Sequence, residues 1–368
     1  MSKLRFIISG GGTGGHIFPA IAIADELKKR YPTAEFLFVG AQGRMEMEKV
    51  PQAGYPIKGL WISGIQRKLT LDNLSFPFKV ISSLLKSRRI LKNFPADFAI
   101  GTGGYASGPL LYAAAQKGIP CLIQEQNSYA GITNKILASK ASSICVAYEN
   151  MERFFPADKI TLSGNPLRAN LTSSLPSKKS ALQKLGLDPE RKTLLILGGS
   201  LGARRINELI AEIIIDLADQ KLNIIWQCGK LYYQALSEQF SKLPAEHQLH
   251  AFLNNMNEAF AAADLVISRA GANTLSELAA LAKASILIPS PNVAEDHQTK
   301  NATYLQERDA AIMFKEKGSA QDLLKTLIDL LNSDAEIKKL EQNILKLALP
   351  HASATIVDEI DKIMNHAE

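Results

Sequence analysis

Short apolar runs of buried-strand type punctuate the chain at 4–9 (LRFIIS), 35–40, 99–102, 120–123, 143–146, 193–197, 223–229, 248–253 and 265–268, and polar or glycine-rich turns close most of them. Between them lie stretches with apolar positions at helical spacing. Examples are 19–30, a helix opening near Asn273 or Thr274 with Leu275, Leu278, Ala279 and Ala282 on one face, and 352–365. Strands alternating with helices predict parallel, doubly wound α/β sheets. The opening also repeats itself: strand, glycine run and helix occur from residue 4 and again from residue 193, after a polar stretch at 170–180 (NLTSSLPSKKS) that reads as a linker. Two α/β halves are expected, 1–167 and 168–349, with a cleft between facing sheet ends. A last helix within 350–368 is long enough to return to the first half.

The turns carry the candidate chemistry. Gly10-Gly11-Gly12-Thr13-Gly14-Gly15-His16 follows the first strand, in the arrangement that brings a phosphate or sugar diphosphate onto helix amides. A dinucleotide fingerprint is disfavoured, because the second strand (35–40) ends in glycine and not in an acidic residue. His16 lies at the helix mouth, where the positive end of the dipole favours the neutral base. A second glycine loop, Gly103-Gly104-Tyr105 with Ser107, and a polar cluster of Glu125, Gln126, Asn127 and Asn134 fall at the carboxyl ends of later strands. Doubly wound sheets gather such loops around one pocket, although glycine and asparagine are also ordinary turn residues. The stretch 264–302 repeats the arrangement. Gly271 turns the chain from a strand into a helix whose first amides, at Ala272, Asn273 and Thr274, form an anion site beside Arg269. Glu277, one turn further in, suits the paired hydroxyls of a ribose; an ordinary helix start with a surface arginine is the plainer alternative.

Composition narrows the classes. At 368 residues and 46% hydrophobic the chain fits a two-domain globular protein, and no apolar run reaches the length of a membrane span. The apolar part of the N-terminus is too short for a secretory signal, so a cytoplasmic location is expected. Cys121, Cys145 and Cys228 are far apart and read as core thiols. The net charge of +6 is concentrated in 60–95, where Arg67, Lys68, Lys79, Lys86, Arg88, Arg89 and Lys92 face only Asp72 and interleave with leucine, phenylalanine and isoleucine. That mixture suits the interface of an anionic membrane. Nucleic acid would use the same cations, but stacking platforms and a binding motif are missing, so no nucleic-acid partner is expected. No D-x-D pair is present to hold a metal, and helix amides with Arg269 would stabilise a departing diphosphate instead.

Seven ordered motifs, GGTGGH (11–16), GGYASGP (103–109), EQN (125–127), GNPLR (164–168), GGSLGAR (198–204), SRAGANTLSE (268–277) and DHQTKNA (296–302), resemble those of the MurG family along nearly the whole chain. That family transfers N-acetylglucosamine from UDP-N-acetylglucosamine to undecaprenyl-pyrophosphoryl-N-acetylmuramoyl-pentapeptide in peptidoglycan synthesis. The resemblance implies two Rossmann-like domains facing across a cleft (the GT-B glycosyltransferase architecture) and an inverting, metal-independent reaction that needs no cofactor. It also implies peripheral attachment to the cytoplasmic face of the membrane. By the same resemblance Arg168, Ser200, Leu253, Arg269 and Glu277 bind UDP, with the Leu253 backbone on the uracil and Glu277 on the ribose. Asn127, Ala272, Asn273, Thr274, His297 and Gln298 surround the sugar and its phosphates. Thr13, Gly14 and Gly15 cradle the lipid diphosphate, and His16 is the candidate general base, supported by Glu125 and Tyr105. Two positions depart from the pattern: Gln124 stands where histidine is usual before EQN, and His297 where a second glutamine can occur. The alternatives are a UDP-N-acetylglucosamine 2-epimerase of the same fold, which needs no acceptor, and a non-catalytic nucleotide-sugar sensor.

Overall fold

The computed structural model describes residues 3–64, 75–167, 175–199 and 201–365. The chain separates into two compact units, one of Met1–Arg168 with Leu349–Glu368, the other of Ala169–Ala348. In the first unit seven parallel strands form one sheet: β1 (Arg5–Ser9), β2 (Glu35–Ala41), β3 (Ile57–Leu60), β4 (Phe98–Gly101), β5 (Cys121–Glu125), β6 (Ser143–Val146) and β7 (Ile160–Leu162), in the order β3-β2-β1-β4-β5-β6-β7. Helices α1 (Gly14–Arg30), α2 (Glu46–Gln52), α3 (Phe76–Asn93), α4 (Ser107–Gln116) and α5 (Ile132–Leu137) connect them. The strand order reverses between β1 and β4, so the helices that follow these two strands lie on opposite faces of the sheet and a crevice is expected at the strands' carboxyl ends.

The second unit repeats the plan with α6 (Lys178–Leu185), β8 (Thr193–Leu197), α7 (Arg204–Ala218), β9 (Asn223–Gln227), α8 (Lys230–Gln239), β10 (His247–His250), α9 (Met256–Ala262), β11 (Leu265–Ser268), α10 (Ala272–Ala280), β12 (Ser285–Leu287), α11 (His297–Gln306), β13 (Ile312–Met313), α12 (Ala320–Leu331) and α13 (Asp334–Leu345). Its parallel sheet runs β10-β9-β8-β11-β12-β13 and reverses between β8 and β11. The second glycine-loop repeat and the Arg269–Gly271 turn therefore leave the two strands at the switch point.

The cores follow from strand alternation. Ile7 packs on one face of the first sheet, whereas Phe6 and Ile8 pack on the other with Ile17 and Ile23 of α1. That second face is completed by α14 (Ala352–Asn365), whose Ile356, Val357 and Ile360 are fully buried against it. Arg30 donates to Asp358 at 2.6 Å and Asp361 at 2.5 Å, and Tyr31 donates to Asp361 at 2.6 Å. Burial, and then the Asp361 bond, push the Tyr31 phenol up to about 12. Burial alone pushes the Cys121 thiol up to about 12, and it is the main cause of a similar rise for Cys145; both behave as core groups.

Several boundaries differ from the sequence expectation. Helix α1 begins at Gly14 and carries Pro19 inside it, so His16 belongs to its first turn. Strand β5 continues through Gln124 to Glu125, and β10 stops at His250, which leaves Leu253 in the loop beyond. Ala282 falls past the end of α10, in the left-handed region at φ 49°, and is not on the helix face. The linker region is described only from Leu175 onward. Replacing Ile360 by alanine removes a fully buried side chain. It should cost about 2–5 kcal/mol in urea unfolding, against about 1 kcal/mol or less for Asp358→Asn at the partly exposed ion pair; equal costs would contradict the packing account.

Candidate functional site

In the first unit three loops meet at the switch point. The loop after β1 and the loop after β4 touch backbone to backbone: a Cβ on Gly104 (φ 87°) would collide with the main chain of Gly11, and Gly11 N–H donates to the Gly103 carbonyl at 3.4 Å. Only glycine permits that approach. The hydroxyl of Thr102 donates to the His16 carbonyl at 2.7 Å, and that of Ser107 donates to the carbonyls of Ser9 (2.9 Å) and Gly103 (2.8 Å). The third loop joins through Gln126, whose Nε2 donates to the Thr102 carbonyl at 2.7 Å.

His16 Nδ1 lies 3.0 Å from the Gly11 carbonyl. A carbonyl only accepts, so Nδ1 carries the proton in this bond and Nε2 is the basic nitrogen of the neutral ring. Gly103 (φ 97°) is again required, because a Cβ there would come within 3.1 Å of Nε2 and 2.9 Å of the adjacent ring carbon. Helix α1 starts after Thr13, which makes no side-chain cap. Among the described residues the amides of Thr13, Gly14 and Gly15 therefore have no intrahelical acceptor.

Glu125, 1% exposed, holds the loop that follows it. Its carboxylate accepts from Asn127 N–H (3.0 Å), Asn127 Nδ2 (3.3 Å), Gly131 N–H (3.0 Å) and Asn134 Nδ2 (2.8 Å). Four donors satisfy a buried carboxylate and fix Asn127 in place. Gln124 is fully buried. It donates to Asn165 Oδ1 at 3.0 Å and accepts from Gln126 Nε2, while Asn165 donates to the Gln126 carbonyl at 3.0 Å. This amide network has no titrating member. Tyr105 is half exposed and its ring covers Gly64, where any side chain would collide with it.

The second unit presents a similar mouth. Gly202 (φ 84°) and Gly229 (φ 91°) press the loop after β8 against the loop after β9, as Gly11 and Gly104 do in the first unit. Nearby, burial pushes the Cys228 thiol up to about 11 and holds the His250 imidazole below its ordinary value. Helix α10 starts at Ala272 with Gly271 as an N-cap that has no side chain to offer, leaving the first amides without intrahelical acceptors. The Asn273 side-chain oxygen is buried with no partner among the described residues, an acceptor suited to a ligand donor. Glu277 lies one turn on, half-buried.

Arg269 is already engaged. It donates to the Ile288 carbonyl at 3.0 Å and to Glu316 at 2.6 Å, while Arg205 donates to the Glu316 and Gly318 carbonyls at 3.0 and 2.9 Å. Arg269 thus braces the loops after β11, β12 and β13, a role that the sequence did not signal. Gln298 accepts from Ser290 N–H at 2.9 Å, so its amide nitrogen is the end that remains to donate. His297 opens α11 directly after Glu295 and Asp296, both in the left-handed region at φ 54° and 51°. Two consecutive non-glycine residues in that region mark a strained turn at the mouth. Leu253 is buried beside half-exposed Phe252. Arg168 and Ser200 lie outside the described residues. Among the described residues no three His, Cys, Asp or Glu side chains gather as a metal site.

Comparison with known proteins agrees with this arrangement. The glycosyltransferase family 28 N-terminal domain matches residues 6–146 and its C-terminal domain residues 193–359. The UDP-N-acetylglucosamine–N-acetylmuramyl-(pentapeptide) pyrophosphoryl-undecaprenol N-acetylglucosamine transferase of Flavobacterium psychrophilum is 55% identical, over 99% of each chain. That of Christiangramia forsetii is 53% identical, over 99% of this chain and 98% of its own. The crystal structure of MurG from Acinetobacter baumannii superposes with a TM-score of 0.79 at 30% identity, covering 98% of this chain and all of that one. The two Rossmann-like α/β units are those of the GT-B class.

Glu125→Gln would set an amide group against N–H donors. It should cost on the order of 1–3 kcal/mol in unfolding and speed hydrogen exchange at the Asn127 and Gly131 amides; unchanged exchange there would contradict the loop-holding role.

Proposed function

This chain belongs to the MurG family within glycosyltransferase family 28, and from that premise we propose how its residues perform the family's reaction. It transfers N-acetylglucosamine from UDP-N-acetylglucosamine to undecaprenyl-pyrophosphoryl-N-acetylmuramoyl-pentapeptide. In our reading the transfer is inverting, uses the acceptor's 4-hydroxyl and needs neither metal nor cofactor.

The second unit binds the donor. The amides of Ala272, Asn273 and Thr274 meet its diphosphate, with Arg168 and Ser200 adding donors and Arg269 adding charge from its brace with Glu316. Glu277 accepts from the ribose hydroxyls, the Leu253 backbone meets the uracil, and His297 and Gln298 meet the sugar. As the glycosidic bond breaks, negative charge grows on the departing UDP, where fixed dipoles and cations stabilise it without reorganisation. The first unit binds the acceptor. Thr13, Gly14 and Gly15 amides hold its diphosphate, and His16 Nε2 takes the proton of the attacking hydroxyl while Nδ1–H stays on the Gly11 carbonyl. Glu125 acts through Asn127, and Tyr105 borders the acceptor. The observation that carries this reading is that each unit closes its switch-point crevice with a helix start that lacks a side-chain cap, at Thr13 and at Gly271.

Attachment to the cytoplasmic face of the membrane belongs to α3. Ser83, Ser87, Ile90 and Leu91 face the core, while Phe78 (68% exposed), Ile81 (57%) and Leu85 (59%) face out beside exposed Lys86, Arg88, Arg89 and Lys92. Lys79 lies 5.9 Å from the ring centre of half-exposed Trp61. Arg67, Lys68 and Asp72, also placed in this segment by the sequence, lie outside the described residues. Among the described residues no helix is long and apolar enough to cross a membrane. Each exposed cation adds about 1 kcal/mol near an anionic surface, and the apolar side chains enter the interface.

Labelled UDP-N-acetylglucosamine and a short-chain acceptor lipid should give disaccharide lipid in EDTA. Epimerised donor without acceptor, or donor binding without turnover, would refute the assignment. Glu277→Ala should raise the donor KM about tenfold or more, whereas His16→Ala should lower kcat by about a hundredfold with donor KM nearly unchanged; parallel changes in both parameters would contradict the division of roles. The triple change Arg88→Glu, Arg89→Glu, Lys92→Glu should release the protein from anionic vesicles at moderate salt, and retained binding would remove the membrane role.

A further inference from the structure

We propose that Glu46 is a positioning residue that sets the glycine loop and, through it, the His16 ring; this deepens the acceptor-side reading above and rests on it. Glu46 is the first residue of α2 and its side chain is fully buried. One carboxylate oxygen accepts from Ala41 N–H at 2.9 Å, at the end of β2, and the other from Gly12 N–H at 3.0 Å, in the loop after β1. The carboxylate therefore ties two neighbouring strand ends together. Its buried charge is offset by these two bonds and by the N-terminal dipole of its own helix.

Two glycines record the fit. A Cβ on Gly11 would strike the carboxylate oxygens of Glu46, and a Cβ on Gly40 would strike its Cγ. Neither glycine has a positive φ, so space for this one side chain, and not backbone conformation, excludes larger residues there. Glu46 thus occupies a slot that the two strand ends keep open.

The consequence reaches the proposed base. Glu46 fixes Gly12, and the Gly11 carbonyl next to it accepts from His16 Nδ1. Moving this backbone would turn the imidazole and change which amides face a ligand. Gly12 N–H is spent on Glu46 and Gly11 N–H on Gly103, so the loop's donors for a diphosphate are those of Thr13, Gly14 and Gly15. A glutamine at position 46 can accept only one of the two N–H groups and must turn its NH2 toward the other.

The test is a double-mutant cycle on the full chain with Glu46→Ala, Gly11→Ala and the pair, alongside Glu46→Gln. Kinetic constants for both substrates and urea midpoints are measured. Glu46→Ala and Gly11→Ala should each lower kcat about tenfold or more with UDP-N-acetylglucosamine KM within about twofold, and Glu46→Gln should fall between wild type and Glu46→Ala. The pair should be no slower than the slower single variant, because the alanine Cβ at Gly11 then fills space the carboxylate has left. Donor KM rising in step with the loss of kcat, or effects that multiply in the pair, would overturn the proposal. Should Glu46→Ala fail to fold, Glu46→Gln and Gly11→Ala decide by the same split. If the wild-type chain shows no turnover, the functional reading fails, and non-additive urea midpoints still decide whether Glu46 and Gly11 share this slot.

Discussion

A parallel strand that hands the chain to a helix leaves amides that the helix cannot pair, and where those amides end up decides what this protein can bind. In each unit the sheet order reverses once, between β1 and β4 and between β8 and β11. Beside each reversal glycine lets the main chains of two loops pack in direct contact, those after β1 and β4 in the first unit and those after β8 and β9 in the second. The helix starts at Gly14 and Ala272 have no side-chain cap. Anionic groups of a substrate are the natural partners for such amides.

Buried polar chemistry holds the first unit's mouth in shape. Glu125 has four donors, Glu46 has two, and Gln124, Gln126 and Asn165 satisfy one another. Each would be costly if half-satisfied, and each ties a different pair of loops. The second unit solves the same problem with charge: Arg269, from the loop after β11, and Arg205, from the first turn of α7, converge on the Glu316 segment. That arrangement leaves Arg269 braced near the start of α10, so its charge acts there as a fixed field more than a mobile grip.

Much of this was legible in the residues. The buried strands announced themselves as uninterrupted apolar runs, because parallel strands are covered on both faces. The glycine loops followed from the turn chemistry after those runs, as did a helix opening near Asn273 or Thr274, which the structure starts slightly earlier, at Ala272. Strands β3, β7 and β12 give no clear signal because they are three or four residues long and include lysine, glycine, threonine or serine, and β13 because it is only the pair Ile312–Met313. Glu46 gave no signal, since a single acidic residue near a helix start looks like a capping group until two strand ends are seen to converge on it. The bracing of Arg269 by Glu316 was equally hidden, because 47 residues separate them in sequence. The outward face of α3 was half legible: the sequence showed apolar residues among cations, but only packing shows that Ser83 and Ser87 point inward and Phe78, Ile81 and Leu85 do not.

The claim on which the rest depends is that the uridine sugar belongs to the second unit's helix start and not to the first. A backbone-amide NMR titration of the full chain with UDP-N-acetylglucosamine tests it directly. The account predicts the largest shifts at Ala272, Asn273, Thr274 and Glu277, with Thr13, Gly14 and Gly15 little changed. Dominant shifts at Thr13, Gly14 and Gly15 would contradict it.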